Sequence, residues 1–393
     1  MNLRAVATIL FSVLLLLSGY SYSNTSLLQG DNLSKDASIK TVPKLQDINT
    51  LIQAAINDSL QPFSGSVMLL ENGIPLFELQ KGEGIHQASS FVMASLSKQI
   101  TATLVLQAVD AGKLGLNHSL NRYLFDHVTL DKSKFQNGIE TNSDKSASSF
   151  LPNQYDERIT IHHLLSHTSG VDVLGKPNRF EPGSQFEYSN FGYALLGQLL
   201  EKVNQQSFAM QIAQFSQVNK LNGLYAQVGS IETIRQNLAS LAIGLNESDV
   251  LAPANLVIDA SLLPAGGLIA SAAAFAEFQH QLHSGKLISP KSYELMTRSH
   301  TRIKFLWPDM SYGYGLRINT EGGITEYSHT GYLPGYMSMS LHYPEFNLDL
   351  VMLENLSLNL NDLSRVFELH TQIRQVIRSN LQLTKKSHPI LSE

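Results

Sequence analysis

The chain of 393 residues contains no cysteine. This absence excludes disulfide bonds, thiol nucleophiles, thiolate zinc sites and a lipid-anchored cysteine. Basic residues are few and scattered, with 28 Lys and Arg against 33 Asp and Glu and a formal net charge of −5. Because binding to a nucleic-acid backbone requires a clustered basic surface, the sequence predicts no nucleic-acid partner.

Long apolar runs are also lacking, except at the N-terminus. There the run Ala5–Leu17 follows Arg4 and precedes a stretch with small serines. A charged start, a short apolar segment and small residues before a cleavage point are typical of a secretory signal peptide. We therefore predict a signal peptide over 1–23, a flexible lead-in over 24–43, and no membrane span after cleavage. An exported chain without cysteine fits a bacterial periplasm, or secretion from a bacterium.

Hydrophobic periodicity predicts a helix at the start of the folded region and a hairpin after it. The hairpin is indicated by two short apolar segments on either side of Asn72-Gly73, a dipeptide that favours tight turns between antiparallel strands. Pro75 indicates that the second strand lies at a sheet edge. The helix is predicted from one apolar face that carries Leu45, Ile48, Leu51, Ile52, Ala55 and Ile56.

The remaining pattern predicts a helical middle and a return to strands. A Ser/Asn/Lys-rich stretch over 132–150 is interpreted as an inserted surface loop. Four strands and a last amphipathic helix follow; the strands are predicted over Tyr312–Ile318, Thr325–Thr330, Tyr336–Tyr343 and Leu348–Leu353.

These elements predict an α+β fold for a single domain over 44–385. One antiparallel sheet would be built from both ends of the chain, about 44–90 and 290–380, and flanked by the terminal helices. A helical subdomain over about 91–289 would pack beside it, with the functional site in the cleft between them.

The first candidate for chemistry is Ser95-Leu96-Ser97-Lys98 at the start of a predicted helix. A spacing of three residues places Ser95 and Lys98 on one helical face, one turn apart. A buried lysine has a lowered pKa, and its neutral amine could accept the proton of the serine hydroxyl. The motif alone is weak, because both residue types are common.

Two further short motifs occur in suitable local contexts. Tyr188-Ser189-Asn190 follows a Pro-Gly turn and precedes a helix, and His329-Thr330-Gly331 ends a strand pattern. Each has a counterpart elsewhere without that context, at Tyr22-Ser23-Asn24 and His283-Ser284-Gly285. The order Ser-x-x-Lys, Tyr-x-Asn, His-Thr-Gly therefore carries the signal, rather than any single motif.

This constellation resembles the penicillin-recognising serine enzymes. Tyr-Ser-Asn as the second element resembles the class C β-lactamase branch, with its related D-Ala-D-Ala carboxypeptidases, D-aminopeptidases and esterases. The resemblance extends from roughly 60 to 380 and is weakest over 204–255. Further segments that resemble the family are Gly112–Leu116, Ile159–Gly170, Phe180–Gly183 and Leu263–Leu268.

The resemblance implies a β-lactamase/DD-peptidase-like fold, an acyl-enzyme mechanism and no cofactor. By position, Ser95 would be the nucleophile, and Lys98 and Tyr188 would transfer protons. Asn190 would contact Lys98 and the acyl side of the substrate. The oxyanion hole would consist of the backbone N–H groups of Ser95 and Tyr332. The leaving-group side would be lined by His329 and Thr330 of the motif that ends at Gly331.

One position departs from the β-lactamases of this branch, which carry lysine where this sequence has His329. Histidine is mostly neutral at pH 7, whereas lysine is a fixed cation. The histidine version resembles peptidases and esterases, so D-amino-acid peptides, including a peptidoglycan stem peptide, or esters are the expected substrates. A class C-type β-lactamase and a non-catalytic peptidoglycan- or penicillin-binding protein are the alternatives.

Other histidines and glycines are given structural interpretations. His163 and His167 are spaced i, i+4 but have no third metal ligand in sight, so no metal is predicted. His280 and His283 are interpreted as a solvated helix face. Gly266-Gly267 matches no phosphate-binding fingerprint and is predicted to be a turn. The chain has no Gly-x-Ser-x-Gly sequence, which disfavours an α/β-hydrolase.

Overall fold

The computed structural model describes residues 45–125, 153–248 and 250–387. In chain order the strands are β1 (Gly65–Glu71), β2 (Ile74–Lys81), β3 (Ser90–Val92), β4 (Leu224–Tyr225), β5 (Gly229–Ser230), β6 (Leu245–Glu247), β7 (Leu251–Pro253), β8 (Val257–Ile258), β9 (Ile269–Ser271), β10 (Thr301–Arg302), β11 (Ser311–Tyr312), β12 (Arg317–Asn319), β13 (Glu326–Leu333), β14 (Tyr336–Tyr343), β15 (Leu348–Glu354) and β16 (Leu356–Ser357). The main feature of the fold is an eight-stranded antiparallel sheet with the spatial order β10-β11-β12-β13-β14-β15-β1-β2. Smaller sheets contain the other strands.

Helices cover both faces of the large sheet. They are α1 (Leu45–Asp58), α2 (Ser97–Asp110), α3 (Leu120–Leu124), α4 (Ile161–Leu165), α5 (Asn190–Asn204), α6 (Phe208–Val218), α7 (Ile231–Asn237), α8 (Ala272–His283), α9 (Pro290–Thr297), α10 (Leu363–Val366) and α11 (Glu368–Ser387). One hydrophobic core lies between the sheet and the pair α1 and α11, and a larger core joins the other face to the helices of the middle of the chain. The site lies where that second face meets these helices.

The predicted hairpin is confirmed. β1 and β2 pair from Glu71 and Ile74 outwards, and the two turn residues Asn72 and Gly73 have φ values of 55° and 76°. Both values lie in the left-handed region that two-residue hairpin turns require and that Asn and Gly tolerate. β2 is the edge strand of the sheet, as Pro75 indicated.

The predicted first helix is confirmed, with one error in its buried face. Ile48, Ile52 and Ile56 of α1 are at most 2% exposed and pack in the core shared with α11. Leu51, which was assigned to the same face, is 43% exposed. Successive residues of a helix are rotated by about 100°, so Leu51 and Ile52 cannot both lie at the centre of one buried stripe.

The C-terminal strands are confirmed except over Tyr312–Ile318, which forms two short strands instead of one. β11 ends at Tyr312 and β12 begins at Arg317. The intervening backbone turns away because Gly315 has a φ of 73° and approaches the backbone of α2, where an added Cβ would lie 2.7 Å from the Lys98 carbonyl oxygen. Gly313 and Gly315, two glycines within four residues, make this interruption of the strand possible.

The fold is therefore α+β, with an antiparallel sheet and helices on both of its faces, as predicted. The predicted signal peptide over 1–23, the lead-in over 24–43 and the loop over 132–150 lie outside the described residues. The division into two subdomains stays a prediction. Among the helices that the structure describes, none is both long enough and apolar enough to cross a membrane.

Candidate active site

The three sequence motifs meet at one place. Ser95 lies in a single 3-10 turn, Ala94–Leu96, that runs directly into α2 and so brings Lys98 onto the same side. Asn190 is the first residue of α5, and Gly331 lies near the end of β13. Ser95 is 6% exposed and Lys98 is fully buried, so the pair forms the floor of the site rather than its surface.

The Lys98 amine has three oxygen neighbours. Its Nζ atom lies 2.7 Å from Asn190 Oδ1, 2.5 Å from the Ala265 carbonyl oxygen and 3.3 Å from Ser95 Oγ. The first two oxygens can only accept hydrogen bonds, whereas the serine hydroxyl can also donate one. A neutral amine has two N–H groups and one lone pair, which matches two acceptors and one donor.

The surroundings of Lys98 favour that neutral form. Burial lowers the pKa of Lys98 well below its usual value, and the nearby Arg317 guanidinium lowers it further. No carboxylate among the described residues forms an ion pair with this amine. A lysine in such a place can act as a base at neutral pH.

The Ala265 carbonyl group is presented by an unusual turn. Leu263–Gly267 forms one turn of π-helix at the point where the sequence predicted a turn around Gly266-Gly267. Such turns are often found at functional sites. Here the turn directs a backbone acceptor at Lys98, a contact that could not be predicted from the residue pattern.

Tyr188 lies directly beside the amine. The Lys98 Nζ atom is 4.7 Å from the centroid of its ring. Burial raises the pKa of Tyr188 to about 12, although Arg317 and the Ser95 hydroxyl group oppose the shift. The Tyr188 hydroxyl is buried and has no hydrogen bond of good geometry within the described part of the chain. A neutral phenol therefore lies beside an amine whose neutral form is favoured by burial.

The residue after Tyr188 caps the next helix, α5. Ser189 is the N-cap of α5, and its side-chain oxygen accepts a hydrogen bond from the Gly192 backbone N–H at 2.9 Å. Such caps satisfy the free N–H groups at the start of a helix. The cap fixes the first turn of α5 and with it the position of Asn190, whose side-chain oxygen Oδ1 accepts a hydrogen bond from Lys98.

Strand β13 passes close to Ser95 because it carries glycine at 331. A Cβ atom added to Gly331 would lie 2.8 Å from the Ser95 backbone nitrogen and 2.3 Å from Ser338 Oγ. Leu333 and Tyr336 close the β13–β14 hairpin, so Gly331 pairs with β14 and the Tyr332 N–H points to the opposite side. On that side β12 pairs only with Glu326 to Ser328, which leaves the Tyr332 N–H outside the ladder.

The side chain of His329 faces the protein interior. It is fully buried; its Nδ1 atom lies 2.7 Å from the Thr330 carbonyl oxygen and its Nε2 atom 3.0 Å from the Tyr312 hydroxyl. Since a carbonyl oxygen can only accept, Nδ1 donates and Nε2 accepts the Tyr312 O–H, which is the neutral tautomer. Burial, together with the positive charge of Arg317, holds the pKa of His329 well below its usual value.

A positive charge is nevertheless present in this region, on a residue that the sequence analysis missed. Arg317 of β12 is only 6% exposed, and its Nη1 atom donates a hydrogen bond to Thr330 Oγ1 at 3.2 Å. Its guanidinium carbon lies 3.9 Å from the centroid of the Phe305 ring. It forms no ion pair with an acidic side chain among the described residues. The only available signal was a lone charge in an otherwise apolar segment.

One group of possible metal ligands lies apart from this site. His283, His342 and Asp349 have ligand atoms within 4.8 Å of one another. The two imidazole rings are stacked at 3.6 Å with an angle of 3° between them, so the lone pairs of their nitrogens lie in parallel planes. A single ion could bind both rings only after one of them tilted, and the cluster does not fit a metal as it stands.

The same stack corrects the prediction that His283 lies on a solvated helix face. Its ring packs against the buried His342, and its Nδ1 atom lies 2.9 Å from the Tyr293 hydroxyl. The prediction was wrong because a histidine near a helix end is usually exposed to solvent, whereas the ring of His283 packs on a strand of the large sheet. His163 is structural, since it forms a reciprocal cap with Thr160 at the start of α4.

A serine, a buried neutral lysine and a buried tyrosine at the junction of a helical layer and an antiparallel sheet define a class of acyl-transferring serine enzymes. Comparison with known proteins agrees with this class. Residues 59–372 match the family described as Beta-lactamase. The chain therefore belongs to the β-lactamase family and is a serine hydrolase of that family.

The individual relatives have low sequence identity to this chain. Penicillin-binding protein 4* of Bacillus subtilis is 25% identical over 336 residues, which cover 75% of this chain and 68% of the relative. Protein flp of Staphylococcus aureus is 27% identical over 198 residues, which cover 42% of this chain and 35% of that protein. That match thus spans about a third of the length of protein flp.

Solved structures share the fold. The D-alanine carboxypeptidase AmpC of Burkholderia cenocepacia superposes with a TM-score of 0.63 at 16% identity, covering 84% of this chain and 99% of the other. The similarity shows that this chain has the β-lactamase/DD-peptidase-like fold that the motifs implied.

Proposed function

We propose that this serine hydrolase is a D-amino-acid carboxypeptidase that works through an acyl-enzyme on Ser95. In this proposal Lys98 and Tyr188 transfer the protons, and Asn190 holds the amine and contacts the acyl side of the substrate. The backbone N–H groups of Ser95 and Tyr332 stabilise the oxyanion. The proposal is supported by the arrangement of these groups around one buried amine.

Acylation begins at the amine. Two N–H groups of a neutral Lys98 are used by Asn190 and Ala265, so its lone pair is directed at the Ser95 hydroxyl. The amine accepts the hydroxyl proton as Ser95 Oγ bonds to the substrate carbonyl carbon. The tetrahedral oxyanion then collapses, the C–N bond breaks, and the leaving amine takes a proton from the Lys98–Tyr188 pair. Water hydrolyses the ester by the reverse proton path.

The main support for the substrate class is Arg317, which forms no ion pair with an acidic side chain among the described residues. A buried guanidinium without a carboxylate partner is costly unless a ligand supplies the charge. It lies next to Thr330 at 3.2 Å, on the strand pair that flanks the leaving-group side. A substrate with a free C-terminal carboxylate fits this place, since arginine binds carboxylates with two parallel hydrogen bonds. His329, buried and neutral, supplies no such charge.

The D configuration and the peptide class rest on similarity. The D-alanine carboxypeptidase AmpC is named for a D-amino acid, and penicillin-binding protein 4* is named for penicillin. A peptide ending in D-Ala-D-Ala, such as a peptidoglycan stem peptide, combines the D residue with the free carboxylate. A class C-type β-lactamase would use the same cation, and an esterase would not need it.

The test compares a peptide ending in D-Ala-D-Ala with the same peptide as its C-terminal amide, in the wild type and in Arg317→Gln. We expect the wild type to prefer the free acid by about 10–100-fold in kcat/KM, the worth of a hydrogen bond to a charged group. Arg317→Gln should abolish the preference but still hydrolyse an uncharged activated ester. Ser95→Ala should be inactive on all substrates and form no adduct in intact-mass spectra.

Three outcomes would contradict the proposal. Equal rates on acid and amide would remove the role of Arg317. Faster turnover of nitrocefin than of the peptide would indicate a β-lactamase. Binding of a penicillin without turnover of any substrate would indicate a non-catalytic binding protein.

We also propose that the protein is exported, with removal of residues 1–23. The support is the charged start and the apolar run Ala5–Leu17. Cell fractionation and N-terminal sequencing of the purified protein test this directly. A mature chain that begins at Asn24 is expected; a chain in the cytoplasm that begins at Met1 would contradict it.

A further inference from the structure

Tyr188 is held on both sides by one residue, His167. The Glu187 backbone N–H donates to the His167 carbonyl oxygen at 2.8 Å, and the Ser189 backbone N–H donates to His167 Nδ1 at 3.0 Å. These two N–H groups flank Tyr188 in the chain. The imidazole ring also packs on the Tyr188 ring, with 4.3 Å between the centroids.

His167 has features that a purely space-filling residue would lack. It is 1% exposed, and its φ of 58° lies in the left-handed region, which few residues other than glycine adopt and in which histidine, asparagine and aspartate are enriched. Its Nδ1 atom accepts a hydrogen bond, so the ring proton is on Nε2. That Nε2 atom is buried and has no hydrogen-bond partner in the described part of the chain. A buried polar atom without a partner calls for an explanation, and a role at a functional site is one such explanation.

The neighbours of the ring keep it neutral. Burial lowers the pKa of His167 well below its usual value. The positive charge of Arg317 on β12 lowers it further, as does Lys98 on α2 whenever its amine is protonated. Three further aromatic rings pack on it, those of Tyr193 on α5, Tyr312 on β11 and Phe186. A doubly protonated ring would direct a second donor at the Ser189 N–H and break the contact.

We propose that His167 is the positioning residue of Tyr188: through its carbonyl oxygen and Nδ1 it fixes the peptides on either side of the tyrosine, and so holds the phenol at the Lys98 amine. His167 does not touch the reacting atoms. The inference rests on the proposed role of Tyr188 in proton transfer.

The experiment is a double-mutant cycle on an activated ester, with kcat and KM measured for His167→Ala, Tyr188→Phe and the double variant. We expect His167→Ala to lower kcat by about 10–100-fold, the cost of a misplacement of about 1 Å, with little change in KM. Because His167 acts through the phenol, the same substitution should cost less than about twofold once Tyr188→Phe has removed it.

A matched variant isolates the hydrogen bond from the ring. In His167→Asn the side-chain oxygen replaces Nδ1 as an acceptor, and asparagine tolerates the left-handed backbone. The kcat of His167→Asn should be at least about ten times that of His167→Ala. If the alanine variant does not fold, the cycle is run with His167→Gly, which tolerates the left-handed backbone and also lacks the side-chain acceptor. Nitrogen-15 NMR of the histidine rings then adds a readout of the tautomer, with the His167 signal assigned by its loss in the variant.

The outcomes separate the two proposals. An equal loss of kcat from His167→Ala with and without the Tyr188 phenol, or a proton on His167 Nδ1, overturns the positioning role alone. Full activity of Tyr188→Phe instead contradicts the proposed proton transfer, whatever the histidine variants do.

Discussion

Two side chains of the site have pKa values displaced in opposite directions. Burial holds the pKa of Lys98 well below its usual value and raises that of Tyr188 to about 12. These shifts favour the neutral amine over the ammonium ion and keep the proton on the phenol. The amine is the proton acceptor for Ser95, and the phenol is placed to pass a proton to the leaving group.

This arrangement predicts an acid limb in the pH dependence of kcat/KM. The active form is the neutral amine, which is present above the lowered pKa of Lys98, so activity should fall as the pH falls through that value. Lys98→Arg keeps a cation but cannot lose its proton. We expect it to lower kcat/KM by about 10²–10⁴ at all pH values and to remove the acid limb. The measurement is a pH–rate profile on one activated ester.

Thermal unfolding of both proteins serves as the control, because an arginine in a fully buried place could also disturb the fold. A folded Lys98→Arg that keeps more than about a tenth of the activity would contradict the role of Lys98 as base.

For the residues of the site, the sequence predicted the contact between near neighbours in the chain and missed the contacts between distant residues. Ser95 and Lys98 are one helical turn apart, so their proximity follows from spacing alone. Arg317 reaches Thr330 because β12 and β13 are neighbours in the sheet, and His167 reaches Ser189 across 22 positions of the chain. Contacts of this kind depend on strand register and loop closure, which a single sequence does not specify.

Among the elements, strand β13 determines how closely a backbone can approach the nucleophile. Gly331→Ala would place a Cβ atom 2.8 Å from the Ser95 nitrogen and from Ala94 Cβ, so the strand must move away. We expect kcat on an activated ester to fall by about 100-fold or more, since the Tyr332 N–H would lose its position at the oxyanion. Labelling of Ser95 by a fluorophosphonate should slow in parallel.

Gly192→Ala is the matched control for this substitution. An added Cβ at Gly192 would meet its neighbours at 3.4 Å or more, which is ordinary contact, and it lies in the first turn of α5. It should leave kcat within about threefold of the wild type, because it moves no group by as much as 1 Å. Equal effects of the two alanines would mean that the strand's approach is unimportant.

The elements themselves were predicted where turn residues mark their ends. Asn72-Gly73 defines the first hairpin, and its left-handed turn is visible in the residue types alone. The segment Tyr312–Ile318 has the alternation of a strand, but contact with α2 breaks it at Gly315. That contact is tertiary, which is why periodicity failed there.

Across the whole molecule, a buried ion cluster joins β13 to the C-terminal helix. Glu326 is fully buried and receives hydrogen bonds from Arg374 Nε at 2.8 Å, Arg378 Nη1 at 3.2 Å and the Tyr343 hydroxyl at 3.0 Å. Glu326→Gln would leave two buried cations without a counter-charge. We expect it to lower the free energy of unfolding by about 3–5 kcal/mol, measured by urea denaturation.

An exposed pair supplies the comparison. Glu294 and Arg298 are one turn apart on α9 and its end, with side chains 69% and 53% exposed. Glu294→Gln should change the free energy of unfolding by less than about 1 kcal/mol. Comparable losses from the two substitutions would show that the Glu326 cluster adds nothing beyond a surface pair.

The pairing of β1 with β15 joins Gly65 to Glu354 and Glu71 to Leu348, nearly 290 residues apart at its widest. During synthesis, the first hairpin leaves the ribosome long before the strand that must lie beside it exists. Its row of N–H and C=O groups then remains an open edge, able to pair with any other extended chain. Completion of the sheet is consequently a late event, and folding of this protein must be slow relative to local hairpin formation. The helices α1 and α11 come from opposite ends of the described chain and pack in one core. In a circularly permuted chain, with these helices linked and new termini at Asn72-Gly73, the delay would move to another part of the sheet.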